Sequence, residues 1–410
     1  MRILVYEHIS GGGYAGQPIP LGFLSEGFGM LRSIVSDFKS AGHEVTIFLD
    51  ARLSKLNPPI VADCTVPVFY PKEAETLLLY ASKINDSVYV IAPETGQKLR
   101  SLVKLMEDTG KVSLNCDALA IQKVANKALL YETLKKNGLP TPKTDVLHVD
   151  EGLAEVIQNI KSNFSYPVVL KPIDGISCGG LSMVKEGAEV EKAVDKIKAI
   201  SANKYFIVQE FINGEAASVS LLSTGHKAVA ISLNRQKVKV ASPEAISSYN
   251  GGTVPFDNPI KQEAFNVGEK VLESFSGLGG YVGVDLVLVN DKVFVLDVNP
   301  RLTTSYVGLS GVATFNVAEA LVNAVLKGKL PTKPKLNGFI YFSKVETPKP
   351  SVSNFEKAAK IREVISPPFP MNNNDKACSL IAGQGESLDN AWLRFEEAKK
   401  CLLNIIRRGK

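Results

Sequence analysis

Hydrophobic and polar positions follow two different rhythms along this 410-residue chain, and the change of rhythm divides it. In the first part, short apolar runs are spaced by amphipathic stretches. "RILVYEHI" reads as a strand; a Gly- and Pro-rich loop follows, then a helical stretch through "GFGMLRSIVSDFKSAG". "HEVTIFLD" and "SVYVIAP" read as further strands, with helices over 72–84 and 95–109. Strands alternating with helices predict an open parallel sheet covered on its faces.

From about residue 116 the pattern changes. "DALAIQKVANKALLYETLKKNG" predicts one long amphipathic helix, ended by Gly138 and kept from continuing by Pro140 and Pro142. "YPVVLKPI" and "LSMV" read as strands around the loop "DGISCGG", and a helix over 187–200 leads into the strand "YFIVQEFI". "ASVSLLST" and "KAVAISLNRQKV" continue a mostly antiparallel sheet, followed by a helix over 260–275, the hairpin "YVGVDLVLVNDKVFVLDVNPR" and a helix over 315–327. Pro331 and Pro334 read as a linker to "GFIYFSKV", "KACSLIAGQG" and a terminal helix. Four units are therefore expected: an α/β domain over 1–115, two lobes over 116–205 and 206–330, and a small appended lobe over 331–410. The fold class is α/β combined with α+β.

Composition narrows the function without naming it. Hydrophobic residues make up 45% and charged residues 22%, as in ordinary globular proteins. The net charge of +5 comes with no basic stripe interleaved with aromatics, which argues against nucleic acid as a partner. Cys64, Cys116, Cys178, Cys378 and Cys401 form no C-x-x-C pair, and the four histidines form no H-x-x-x-H pair, so neither a disulfide framework nor a zinc site is expected. No apolar stretch reaches the roughly 20 residues that span a bilayer. The N-terminus enters a strand pattern directly, so no membrane association and a cytoplasmic location are expected.

The first chemical candidate is "ISGGGYAG", in which Gly11, Gly13 and Gly16 satisfy G-x-G-x-x-G. A dinucleotide site needs a helix to start at the third glycine, whereas Pro18 and Pro20 follow here, and Asp50 lies too far on to serve as the ribose acid. The loop is better read as a turn, or as a ligand-contacting loop at a strand's C-terminal end. In the second case Glu7, Gly12, Gly13 and Tyr14 become substrate candidates, with His8 beside them.

A stronger series follows in chain order. Lys127, Lys171 and the loop 174–180, with Ser177, Gly179 and Gly180, offer two ammonium groups and closely approachable amides, which suit a triphosphate. "QEFINGE" places main-chain donors and acceptors on an apolar edge fit for adenine, with Glu215 placed for a ribose. Asp285, Asp297 and Asn299 are hard oxygen donors of the kind Mg²⁺ accepts together with phosphate oxygens. Asp297, Asn299 and Arg301 share a face by their spacing of two. A plain two-residue Asn290-Asp291 turn would set Asp285 opposite Leu296; a three-residue loop or a bulge would set it opposite Asp297. The cost of two unpaired buried acids predicts the second arrangement. Arg235 and Lys237, with Asn250, are candidates for acceptor contacts, and Asn250-Gly251-Gly252 is a candidate lid hinge.

Lys127, Lys171, the loop 174–180, "QEFINGE", Asp285 and "DVNPR" together resemble the ATP-grasp superfamily of carboxylate–amine and carboxylate–thiol ligases, over about residues 1–330. The resemblance implies an ATP-grasp fold behind an N-terminal open parallel (pre-ATP-grasp) domain, with a small C-terminal lobe. It implies that the main chain of Glu210 and Ile212 brackets adenine, Glu215 holds the ribose, and Lys127 and Lys171 bind phosphates. Asp285, Asp297 and Asn299 would hold Mg²⁺, with Mn²⁺ as a substitute ion. The family usually has Glu where Asp297 stands, which leaves open whether one ion or a bridged pair is bound. The implied reaction activates a carboxylate as an acyl phosphate for attack by an amine, with Arg301 on the oxyanion and Lys171 as the second catalytic candidate. The head "MRILVYEHISGGGYAG" with "EGFGML" is similar, within the superfamily, to the archaeal tyramine–glutamate ligases of one-carbon cofactor biosynthesis. Small carboxylates and amines are then the partners, and the oligomeric state stays open between monomer and homodimer. A ligase for another amino acid or dipeptide, a phosphotransferase, and a non-catalytic ATP sensor remain as alternatives.

Overall fold

Ile3 and Val5 point to one side of β1 (Arg2–Glu7) and Leu4 and Tyr6 to the other, and all four are buried. A strand covered on both faces has no polar alternation, which is why this run is apolar throughout. The computed structural model describes residues 1–175, 178–371 and 375–407. β1 pairs in parallel with β2 (Glu44–Asp50) and β4 (Ser87–Ile91). β3 (Cys64–Val68) and β5 (Val112–Ser113) complete the order β3-β2-β1-β4-β5. α1 (Leu21–Ser40) packs on the Ile3 and Val5 face. After the short α2 (Ala51–Ser54), α3 (Pro71–Ile84) and α4 (Lys98–Asp108) cover the other.

The stretch expected as one helix is two, α5 (Ala118–Ala125) and α6 (Lys127–Lys136). Asn126 leaves the helical conformation, at φ −90° and ψ 107°, and its side chain accepts from the amides of Ala128 and Leu129. An internal cap of this kind ends one helix and starts the next in a new direction. The four-stranded antiparallel sheet runs β6-β9-β7-β8, built from β6 (Thr144–His148), β7 (Val168–Pro172), β8 (Ser182–Val184) and β9 (Tyr205–Glu210). α7 (Leu153–Asn163) and α8 (Val190–Ile200) cover one face. The boundary expected before residue 206 falls later: β9 pairs with β6 and β7, so the chain leaves this sheet only after Glu210.

The third sheet has eight strands in the order β14-β13-β10-β11-β12-β15-β17-β16. Its first part comprises β10 (Glu215–Gly225), β11 (Ala228–Lys239), β12 (Ser248–Val254), β13 (Leu278–Val289) and β14 (Lys292–Asn299), with α9 (Lys261–Glu273) packed on it. α10 (Tyr306–Val312) and α11 (Val317–Lys327) follow. The expected appended lobe is instead a continuation of the sheet. β15 (Phe339–Pro348) pairs with β12, β17 (Lys376–Gly385) with β15, and β16 (Val364–Ser366) with β17; α12 (Val352–Ala359) and α13 (Leu388–Arg407) lie between and after them.

Gly251 and Gly252 lie inside β12 rather than in a hinge. A Cβ at Gly251, whose φ is +103°, would stand 2.1 Å from the carbonyl oxygen of Phe342, and one at Gly252 would stand 2.0 Å from that of Arg235. Both glycines let strands approach closely. Gly29 does the same for α1, where a Cβ would stand 2.7 Å from Leu380. α1 is thereby enclosed between the parallel sheet and the C-terminal strands. Among the described residues no helix is long and apolar enough to cross a membrane.

Candidate active site

The hairpin of β13 and β14 closes with a two-residue turn at Asn290-Asp291, Asn290 having a φ of 51°, yet Asp285 stands opposite Asp297. The register shifts between Asp285 and Leu286, which leaves Leu296 as the extra residue of a bulge. The expected bulge is thus present, without a lengthened loop. Asp297 pairs with Lys127 at 2.5 Å. Asp285 accepts from Asn299 at 3.0 Å and from Gln236 at 2.8 Å.

Charge is crowded here. Burial, and then the charge of Asp297, push the Asp285 carboxyl up to about 6 against those two hydrogen bonds. Lys171 on β7 is pulled down to about 8 by burial and by Lys127, although Asp297 and Asp285 favour its charge. Lys127 owes its position to the Asn126 break, and its amide donates to the Ile173 carbonyl at 3.0 Å. Two helices, a strand of the small sheet and a hairpin of the large one therefore converge on one spot. Among the described residues no group of three or more His, Cys, Asp and Glu forms a metal cage. Asp285, Asp297 and Asn299 suit Mg²⁺ better, since that ion takes one or two carboxylates and completes its shell with phosphate and water. Asp285 meets only neutral amide donors among the described residues, so its charge is available to a cation.

Along the expected nucleotide edge, Glu210 ends β9 and its amide donates to the Lys143 carbonyl at 2.9 Å. Ile212 follows in the half-buried crossing to β10. Glu215 is exposed, held by Arg235 at 2.8 Å and Asn258 at 3.3 Å. Gly179 and Gly180 lie in a turn, and the φ of +71° at Gly180 lets it pass close over Pro172. Ser177 lies outside the described residues. The Cys178 thiol is pushed up to about 11 by burial and by Asp285, so it stays protonated at neutral pH.

Arg301 lies beyond the hairpin, its Nη2 donating to Glu94 at 3.0 Å. Arg301 Nε and Glu94 Oε1 are also 3.0 Å apart but misaligned, and neither buried atom has a hydrogen bond among the described residues. Glu94 sits just past β4, so the C-terminal edge of the parallel sheet faces this arginine.

The substrate candidates fare differently. Arg235 and Lys237 do share a face, but Arg235 turns to Glu215 and Lys237 to the Tyr341 hydroxyl at 3.1 Å. Gln236, between them, is the residue that reaches Asp285, because strand alternation sends it to the opposite face. Asn250 bonds Ser248 on its own strand. In the opening loop Gly13 donates its amide to His8, and Gly12, with φ +101°, packs against Val68. The Tyr14 carbonyl is held by Arg52. Glu7 is fully buried, accepting from the amides of Ile9 and Ser10 and from the Ser10 hydroxyl, so it organises its own loop. Glu7 and the main chain of Gly13 and Tyr14 therefore hold the loop's own structure.

Three residues that the sequence did not single out lie near the centre. Glu26 on α1 is 7% exposed; it pairs with Lys344 on β15 and accepts from Thr304 at 3.0 Å. An acid at a buried position of a helix was the available signal, but its partner lies 318 residues away.

A family model described as an ATP-grasp domain matches residues 124–305, and one described as a pre ATP-grasp 3 domain matches residues 43–121. The tyramine–L-glutamate ligase of Methanocaldococcus jannaschii is 30% identical over 342 residues, spanning 81% of this chain and 92% of that enzyme. An ATP-grasp superfamily protein of Archaeoglobus fulgidus superposes with a TM-score of 0.62 at 23% identity, covering 93% of this chain and 99% of the other. An L-amino acid ligase of Bacillus licheniformis superposes with a TM-score of 0.67 at 15% identity over 97% of each chain.

Proposed function

This chain belongs to the ATP-grasp superfamily, and on that premise we propose that it joins a carboxylate of an amino acid such as glutamate to an amine such as tyramine, releasing ADP and phosphate. It is a carboxylate–amine ligase; the choice of glutamate and tyramine is supported by the archaeal relative that covers most of the chain. The observation that carries the chemistry is the convergence of Lys127, Lys171, Asp285, Asp297 and Arg301 around one bulged hairpin.

In this reading the carbonyl of Glu210 and the amide of Ile212 meet adenine, and Glu215 meets the ribose. Lys127 and Lys171 hold the phosphates, with Lys171 next to the one transferred. Asp285, Asp297 and Asn299 would hold Mg²⁺, which when bound neutralises the phosphate oxygens. Lys127 then exchanges Asp297 for phosphate. A carboxylate oxygen of the donor attacks the γ-phosphorus and the bond to ADP breaks, giving an acyl phosphate. The amine nitrogen attacks the acyl carbon, phosphate departs with the bonding pair, and the surplus amine proton passes to phosphate or water. Arg301, held by Glu94, would steady the oxyanion formed on that carbon. No nucleophilic side chain is needed.

ADP release measured with Mg·ATP, glutamate and tyramine tests this, with detection of the amide product by mass. Turnover that needs both substrates supports it, and Asp285→Asn should lower kcat by about a hundredfold or more. ATP binding without ADP release for any acid and amine would favour the sensor reading, and a phosphorylated product would favour a phosphotransferase.

A further inference from the structure

The ligase chemistry leaves one buried charged pair without a task. Glu26 and Lys344 are joined across three chain segments, with side-chain exposures of 9% and 20%, and Thr304 completes the contact. A buried ion pair contributes little net stability compared with apolar packing, because desolvation offsets the attraction. Its placement is therefore the informative feature. Thr304 lies three residues beyond Arg301, a separation of at most about 11 Å along the backbone. Glu26 acts electrostatically on Arg301, and both Glu26 and Lys344 act on Cys178 in the phosphate loop, as do Asp285 and Lys171. The Lys344 ammonium also sits 6.0 Å from the ring centroid of Tyr249 on β12. The pair thus borders the reaction centre on the side of α1 and β15, away from the nucleotide edge.

We propose that Glu26 and Lys344 form the recognition site for the α-ammonium and α-carboxylate of the donor amino acid, whose distal carboxylate then lies at Arg301. The assignment rests on the ligase reading and specifies its donor as a dicarboxylic amino acid. A zwitterionic head group inserted between the two side chains exchanges one ion pair for two and adds no net charge to a buried space. A donor without the ammonium would bring an additional anion to Glu26, and a donor without the α-carboxylate would leave Lys344 facing a second cation. Sites built around buried polar groups reject analogues that leave those groups unpaired, by factors well above those for a missing methylene.

The experiment uses the full chain with Mg·ATP and tyramine, and compares glutamate, glutarate (lacking the ammonium) and 4-aminobutyrate (lacking the α-carboxylate). In the wild type, kcat/KM falls about a hundredfold or more for each analogue. Glu26→Gln narrows the gap between glutamate and glutarate, and Lys344→Met narrows the gap between glutamate and 4-aminobutyrate. The double variant Glu26→Gln/Lys344→Met leaves no charge unpaired and loses both preferences, and thermal stabilisation by Mg·ATP reports that each variant is folded. If the variants reduce all three donors equally, or if wild type uses glutarate as well as glutamate, the pair is structural and the inference fails while the ligase reading stands. Calorimetric titration of glutamate into protein loaded with a non-hydrolysable ATP analogue separates the two. Binding that depends on Lys344 without turnover supports the recognition site and overturns the ligase reading, whereas no binding and no turnover overturns both.

Discussion

His8 shows how closely one residue's protonation is tied to its surroundings. Burial, and then the charge of Lys98, pull the imidazole down to about 4 from an ordinary value of 6.5. Between these values the unfolded chain binds a proton that the folded one refuses, so stability falls as pH drops from about 6.5 toward about 4 and is fully present above that window. The full contribution is about 3 kcal/mol, of which about 2 kcal/mol is already lost at pH 5. Urea unfolding of wild type and His8→Gln at pH 7.5 and 5 checks this: the variant should show a pH-dependent loss about 2 kcal/mol smaller, and equal losses would refute it. At this scale the sequence was legible where chemistry restricts the choice of residue. Lys127, Lys171, Asp285 and Asp297 converge because hard donors and paired ammonium groups in apolar strands have few other uses. It was not legible for Arg235 and Gln236, since a spacing of two shows that residues share a face without showing which face meets the site.

The element scale turns on irregularities. The bulge of β13 and β14 could be inferred, because without it two acids would fall on opposite faces. The break at Asn126 could not, since the amphipathic period runs on through a residue that is tolerated in helices and also caps them. The glycine pair of β12 was equally ambiguous, a hinge and a close strand approach calling for the same residue. Stability separates the two. Gly251→Ala must place a Cβ on the Phe342 carbonyl at positive φ, for a cost of about 2–5 kcal/mol from strain and overpacking. Thermal denaturation should show a large loss in melting temperature; a hinge would instead leave stability nearly unchanged and alter kcat.

For the whole molecule, the decisive fact is that the last 80 residues finish structures begun far earlier in the chain. β15 gives β12 its second neighbour, Leu380 of β17 meets Gly29, and Phe369 stacks edge-on against Phe28 at 5.0 Å. None of these contacts is local, so a reading from sequence order took the segment after Pro331 for an appendage: periodicity identifies strands but not their distant partners. Its position also brings Lys344 to Glu26 of α1, which is the basis of the recognition role proposed for that pair. A chain truncated after Leu330 therefore leaves β12 as an open edge, uncovers the buried side of α1 and loses one member of the Glu26 pair. Exposed edges and apolar faces of this size promote association. Expression of residues 1–330 should give mostly insoluble protein, and any soluble fraction should lack the cooperative melting and the Mg·ATP stabilisation of the full chain. A truncated protein that stays monomeric and retains that stabilisation would mean that the three C-terminal strands lean on the sheet without supporting it.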